Sequence, residues 1–285
     1  GGGSALDITK VVGCCAVSDA DPLHYALAAN PLPSAPLPKI MIPTTAGTGS
    51  EANGTSIFSN ADGKKVWVHG SETKADLVFL DPRLTESLPA NLTAWCGMDA
   101  FVHAFEAATN RWAHDGAKLF AHKALGLITR SLATAVSDPS DMDARGNMIL
   151  ASYYAGYAIE NCGTAIAHNI SHALAGLAPV HHGLATALAF ELTLPWLIEA
   201  DSADLNTAAQ ACGLQTAAEL PGFVTALMDE TGVERRLPDG FRSFNADDLA
   251  REMRAEENHP MRAATIRDIN DSNIDKMARD MLALA

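Results

Sequence analysis

The 285-residue sequence carries 34 acidic against 20 basic side chains, a net charge of −14, and this acidity argues against nucleic acid or an anionic membrane surface as partner. Hydrophobic residues make up 48% of the chain, enough for a substantial core, and the length admits two domains. The longest apolar runs, such as Leu184 to Leu188, are too short to span a bilayer, no basic start followed by an apolar core marks a secretion signal, and five scattered cysteines (Cys14, Cys15, Cys96, Cys162, Cys212) read as reduced thiols of a cytoplasmic protein.

The chain opens on Gly1-Gly2-Gly3-Ser4 ahead of a helix-compatible run through Asp7 and Lys10. Glycine lets backbone approach an anion closely, and a helix N-terminus offers free N–H groups, so this stretch suits a phosphate-cradling turn. Residues 20–38 read as a loop. Lys39 to Pro43 is a short apolar strand running into Thr44-Thr45-Ala46-Gly47-Thr48-Gly49-Ser50-Glu51, a second nucleotide-contacting turn. Strands are expected over 55–59 and 65–69, joined by a hairpin at Asn60-Ala61-Asp62-Gly63, and over 77–80, closed by Asp81-Pro82.

After residue 85 strand signals nearly vanish. Helices are predicted over 92–110, 115–137, 141–161, 164–177, 183–200 with an interruption at Pro195, 205–212, 217–231, 246–256 and 273–285. The fold class is therefore α/β plus all-α: a partial Rossmann-like segment over 1–85, then an all-helical domain over 86–285. Two stretches of that helical half carry chemistry. Asp99 and His103 are four apart, hence on one helix face, and His168 and His172 share that spacing. His181-His182-Gly183 follows. A carboxylate and several imidazoles brought together suit a divalent transition metal; spacing alone leaves open which four ligate.

Four motifs, in this order and spacing, resemble those of the iron-dependent alcohol dehydrogenases of the dehydroquinate synthase-like fold: Gly1-Gly2-Gly3-Ser4-x-x-Asp7, Pro43-Thr44-Thr45-Ala46-Gly47-Thr48-Gly49-Ser50-Glu51, Gly97-Met98-Asp99-Ala100-x-x-His103-x-x-Glu106, and His168-x-x-x-His172 through His182-Gly183. The resemblance implies an NAD(P)-dependent interconversion of an alcohol with an aldehyde or ketone, in a cleft between a nucleotide-binding and a metal-binding part. It implies Asp99, His103, His168 and His182 as ligands of Fe²⁺, with Zn²⁺ as the alternative. His172 becomes the non-ligating histidine near the nicotinamide, a candidate catalytic proton relay. Gly2, Gly3, Ser4 and Asp7 would meet the dinucleotide phosphates and nicotinamide ribose, Thr44, Thr45 and Thr48 the adenosine and phosphate side, and Lys65 the nicotinamide ribose.

The family also has a first βαβ half ahead of the glycine motif, which this sequence does not contain. That half carries the acidic residue that separates NAD from NADP, so the choice between them stays open. Its absence leaves apolar sheet edges that favour self-association, as a homo-oligomer and in the simplest case a dimer. Two rival readings remain: a dehydroquinate synthase-like lyase, which uses a glutamate where Asp99 stands, and a non-catalytic metal-binding helical protein left by loss of the first half-domain.

Overall fold

The computed structural model describes residues 1–60 and 65–285. Helix α1 (Gly3–Cys15) opens the chain, with Gly2 in the N-cap position and no side chain capping it. Its first turn lies directly on the 44–49 loop. A Cβ on Gly3 would stand 2.7 Å from the Thr48 Cγ2 atom and one on Gly2 3.3 Å from that of Thr45, so a larger residue at Gly3 would push the two motifs apart. The backbones are tied as well: Thr44 N–H donates to the Gly1 carbonyl at 3.0 Å, and the Gly1 amino group to the Ile42 carbonyl at 2.9 Å.

Strand β1 (Ile40–Met41) pairs in parallel with β4 (Leu77–Val78), Ile40 opposite Leu77. The expected strands were longer. The β1–β4 pair forms a two-stranded sheet, and so short a parallel ladder holds only the residues that have a partner on the facing side. Strands β2 (Thr55–Ser59) and β3 (Lys65–His69) form the expected antiparallel hairpin, in the register Thr55 to His69 and Ser59 to Lys65. Of its expected turn, Ala61, Asp62 and Gly63 lie outside the described residues. The 20–38 stretch contains a distorted helical segment, Pro22–Ala28, whose start is capped by Asp21.

The second part is helical throughout: α2 (Ala90–Thr109), α3 (Asp115–Ser137), α4 (Met142–Glu160), α5 (Ile166–Leu177), α6 (His182–Ile198), α7 (Ala203–Ala211), α8 (Leu220–Glu230), α9 (Ala246–Arg254), α10 (His259–Ala264) and α11 (Asp271–Leu282). Helix α6 runs through Pro195 rather than breaking there. The proline opens the last turn, so a single ladder bond is lost and only three residues follow it. Helix α10 has no counterpart in the sequence reading; its six residues are too few for a periodic signal.

Helix α2 is the axis of this part. Sixteen of its twenty residues are buried, which makes it a core helix rather than an amphipathic surface one. Alanines at 94, 100, 104, 107 and 108 let neighbours approach. Phe101 and Phe105 meet Phe190 of α6 with ring centroids 5.9 and 4.9 Å apart, each side chain contributing roughly 1.5–3 kcal/mol by burial. Inside this apolar sheath sit Asp99, His103 and Glu106, all buried. Polar groups in such a place are costly unless they find partners.

Two of the contacts that join the parts lie along α4. Gly49 (φ +58°) crosses Gly156 of α4 backbone to backbone: a Cβ on Gly156 would lie 2.3 Å from the Gly49 carbonyl oxygen. One turn on, the Glu160 carboxylate accepts the Gly54 N–H at 2.8 Å and pairs with Lys74 at 2.7 Å.

Candidate metal centre and adjoining cleft

Helix α2 presents Asp99 and His103 one turn apart, α5 presents His168, and His182 is the first residue of α6. One donor atom from each of the four lies within 4.8 Å of the others. His168 Nε2 and His182 Nε2 stand 3.6 and 3.5 Å from Asp99 Oδ1, and His103 Nδ1 lies 3.9 Å from Asp99 Oδ2. The His103 ring stacks on that of His168, centroids 4.5 Å apart. Asp99 Oδ1 and His168 Nε2 are buried and have no hydrogen-bond partner among the described residues. Two such atoms facing one another are an open cost that a shared cation would remove. One carboxylate with three imidazoles is a donor set suited to Fe²⁺ or Zn²⁺.

A second layer fixes which nitrogen faces inward. His168 Nδ1 lies 2.7 Å from the Glu106 carboxylate, which also accepts the N–H groups of Ala165 at 2.6 Å and Ala167 at 2.8 Å. Glu106 thus caps the start of α5 and, as an acceptor only, holds a proton on His168 Nδ1, so that Nε2 is the nitrogen turned toward Asp99. His182 Nδ1 lies 3.1 Å from the Ser171 hydroxyl, to which Thr186 donates at 3.0 Å, while Ser171 Oγ stands 3.4 Å from the His182 carbonyl. With Ser171 accepting from both and donating to that carbonyl, Nε2 of His182 is bare. Glu106 carries a role that its spacing alone did not reveal. The signal available was a carboxylate three residues after His103 in an otherwise apolar helix.

Electrostatics follow from this crowding. Burial alone would raise the Asp99 carboxyl, but the surrounding imidazoles overcome it and hold Asp99 well below the usual carboxylate range. Burial would lower His168, yet Glu106 and Asp99 carry it up to about 9. Burial takes His182 down to about 3 against the pull of Asp99. His172 stands one turn beyond His168, its ring 6.5 Å from that of His168 and 5.7 Å from that of His182, outside the four-residue cluster. Burial first, then the charges of His182, His168 and Lys65, push it well below the ordinary imidazole value.

A cleft of about 450 Å³ runs from α1 to these histidines; Gly3, Ser4, Asp7, Thr48 and Lys65 line it together with His103, His168, His172 and His182. Gly2, Thr44 and Thr45 are not in its wall; they pack the two motifs behind it. Asp7 is also committed to the fold, accepting the Ile57 N–H at 3.0 Å and the Ser50 hydroxyl. Lys10, fully buried, went unassigned in the sequence. Its ammonium donates to the carbonyls of Ser50 at 2.7 Å and Asn53 at 3.2 Å and pairs with Asp7 at 3.4 Å, pinning the second motif beneath the first.

Residues 93–280 match the C-terminal profile of the Fe-containing alcohol dehydrogenase family, and residues 1–82 match that of iron-containing alcohol dehydrogenase. The chain belongs to the iron-containing alcohol dehydrogenase family. Among members of this family, the long-chain-alcohol dehydrogenase 1 of Geobacillus thermodenitrificans is 40% identical over 190 residues, 66% of this chain and 48% of the relative. The NAD-dependent methanol dehydrogenase of Bacillus methanolicus is 31% identical over 284 residues, 94% of this chain and 74% of the relative. The structure of sulfoacetaldehyde reductase from Bifidobacterium kashiwanohense in complex with NAD+ superposes with a TM-score of 0.90 at 27% identity, covering 100% of this chain and 75% of that one. The chain spans about half the length of several curated relatives it matches. Its α/β plus all-α architecture is that of the iron-containing alcohol dehydrogenase fold. The three named proteins differ in their substrates, so likeness to them leaves the substrate of this chain open.

Proposed function

We propose that the chain is the metal-binding and cofactor-contacting part of an NAD(P)-dependent oxidoreductase that interconverts an alcohol with an aldehyde or ketone. In this reading residues 1–85 face the dinucleotide and residues 86–285 hold the metal. The observation that carries it is the buried, unpartnered pair Asp99 Oδ1 and His168 Nε2, with His182 Nε2 bare beside them. Asp99, His103, His168 and His182 would hold the ion, Fe²⁺ in the first instance and Zn²⁺ in the second. Gly3, Ser4, Asp7, Thr48 and Lys65 would form the cofactor side, supported by the continuous cleft that they line from α1 to the histidines, with Gly2, Thr44 and Thr45 packed behind them. When bound, the ion supplies Lewis acidity toward the substrate oxygen and the nicotinamide supplies or accepts the hydride.

The chain's own residues do the rest. Glu106 and Ser171 orient two imidazoles before any substrate arrives. The α2 core closes one side of the donor set, burying Asp99 and His103. His172, which lines the cleft beside the donor set, is the candidate for relaying a proton outward along it. The free state of all five cysteines supports a reducing, cytoplasmic setting, and the exposed Ile40, Leu77 and Phe79 support self-association as a dimer. No helix among the described residues is long and apolar enough to cross a membrane. The test is metal analysis of the isolated chain, with an alcohol and aldehyde panel against both NAD and NADP. Stoichiometric metal and alcohol-dependent reduction of one coenzyme are expected; a chain that binds no divalent ion would end the reading.

A further inference from the structure

We propose, on the basis of the metal-site reading above, that the substrate of this cleft carries an uncharged, apolar tail rather than an anionic or highly polar one. The β2–β3 hairpin provides a ruler. Lys65, Trp67 and His69 alternate along one face of β3 and all line the cleft, so each step is about 7 Å. Lys65 marks the reacting end: β3 packs against α5, which carries His168 and His172, and Lys65 lines the cleft with them. One step further the wall turns apolar, with Trp67 paired across the hairpin to Ile57, itself a lining residue.

The helical part answers in kind. Ile159 of α4, Met261 of α10 and Trp112 line the same cleft. Trp112 is 55% exposed, although its backbone is fixed: its N–H donates to Asn110 Oδ1 at 2.9 Å, and the preceding Arg111 N–H to the Ala264 carbonyl at 3.1 Å. A large aromatic side chain held at a cleft mouth and left open is suited to closing over an apolar group. The charges at this wall discourage anions. Glu257, at the rim, has no ion-pair partner among the described residues, and the one cation among the described lining residues outside the histidines is Lys65, at the reacting end and within range of Asp7 and Asp99. A sulfonate or carboxylate tail would lie among apolar rings and an uncompensated carboxylate.

The test is equilibrium binding of a series of straight-chain primary alcohols, and of ω-hydroxycarboxylates of matched length, to the zinc-loaded chain, read by tryptophan fluorescence. Affinity is expected to rise with chain length by up to about fourfold per methylene, the value for full burial, and the carboxylates are expected to bind at least about tenfold more weakly. Trp112→Ala should flatten the length dependence, with Trp67 remaining as reporter, and Glu257→Lys should narrow the penalty on the carboxylates. A flat series, carboxylates binding as tightly as alcohols, or no saturable response to any alcohol would overturn the proposal. Metal content, measured on the same preparation, separates this from failure of the metal reading: a chain that keeps its zinc but ignores tail length refutes the tail alone.

Discussion

Helices α1 and α2 both deliver residues to the cleft, and they are held in opposite ways. In α2 the surroundings are core on nearly every side, and Asp99, His103 and Glu106 are locked by packing. In α1 only Leu6, Lys10, Val11, Gly13 and Cys14 are buried, while Ile8 and Val12 stand exposed, as do Ile40 and Leu77 on β1 and β4 and Phe79 just beyond β4. A parallel strand pair is ordinarily covered on both faces. The lesson is that the proposed metal side of the cleft owes its geometry to a closed hydrophobic core, whereas the proposed cofactor side owes it to glycine contacts and one buried lysine. Changes in the first region should act on metal, and changes in the second on stability and cofactor.

The largest effect should come from His168→Ala. Removing it takes away a donor and strands Glu106 and Asp99 in the core; metal content and turnover are expected to fall to background. Elemental analysis decides, and a variant with full metal occupancy would break the proposed ligand set. Lys10→Met should cost about 3–5 kcal/mol, the scale for removing one partner of a buried ion pair, because Asp7 and the Ser50 and Asn53 carbonyls lose their donor. Thermal melts should register it while metal per folded chain stays unchanged. If metal were lost in proportion, the division between the two regions would fail.

Glu106→Gln is subtler. The amide cannot accept on both sides, so its NH₂ would face either the Ala167 N–H, in place of Oε1, or the Ala165 N–H and His168 Nδ1 together, in place of Oε2. The second arrangement drives the His168 proton to Nε2. Metal affinity should drop about 10–100-fold, read by competition with a chelator, while Glu106→Asp should recover part of it. The smallest effect is expected on the open face: Leu77→Ser or Phe79→Ser should shift stability by within about 0.5 kcal/mol yet reduce binding of a hydrophobic dye. A large loss of stability there would mean that those side chains are packed after all.

The long helices were legible because α2 to α6 are long runs rich in Ala and Leu, and in α3 the apolar residues recur at three/four spacing. The strands beside α1 were legible in place but not in length, since pairing depends on a partner that composition cannot specify. Periodicity grouped His168 with His172 as readily as with anything else. Which of the two turns toward Asp99 depends on how α5 lies across α2, and nothing local encodes that. Lys10 was hidden for a different reason. A lysine on a short helix is ordinarily solvated, and only the 50–55 loop folding over it puts its ammonium in the interior.

The crossing of Gly49 over Gly156 has a mechanical consequence. With main chain resting on main chain and no side chain between, that point cannot spread or slide without losing contact altogether, so it serves as a fulcrum. Any turning of one part against the other would bear on that point, one residue from Thr48 in the cleft wall. Gly156→Ala would jam the bearing itself.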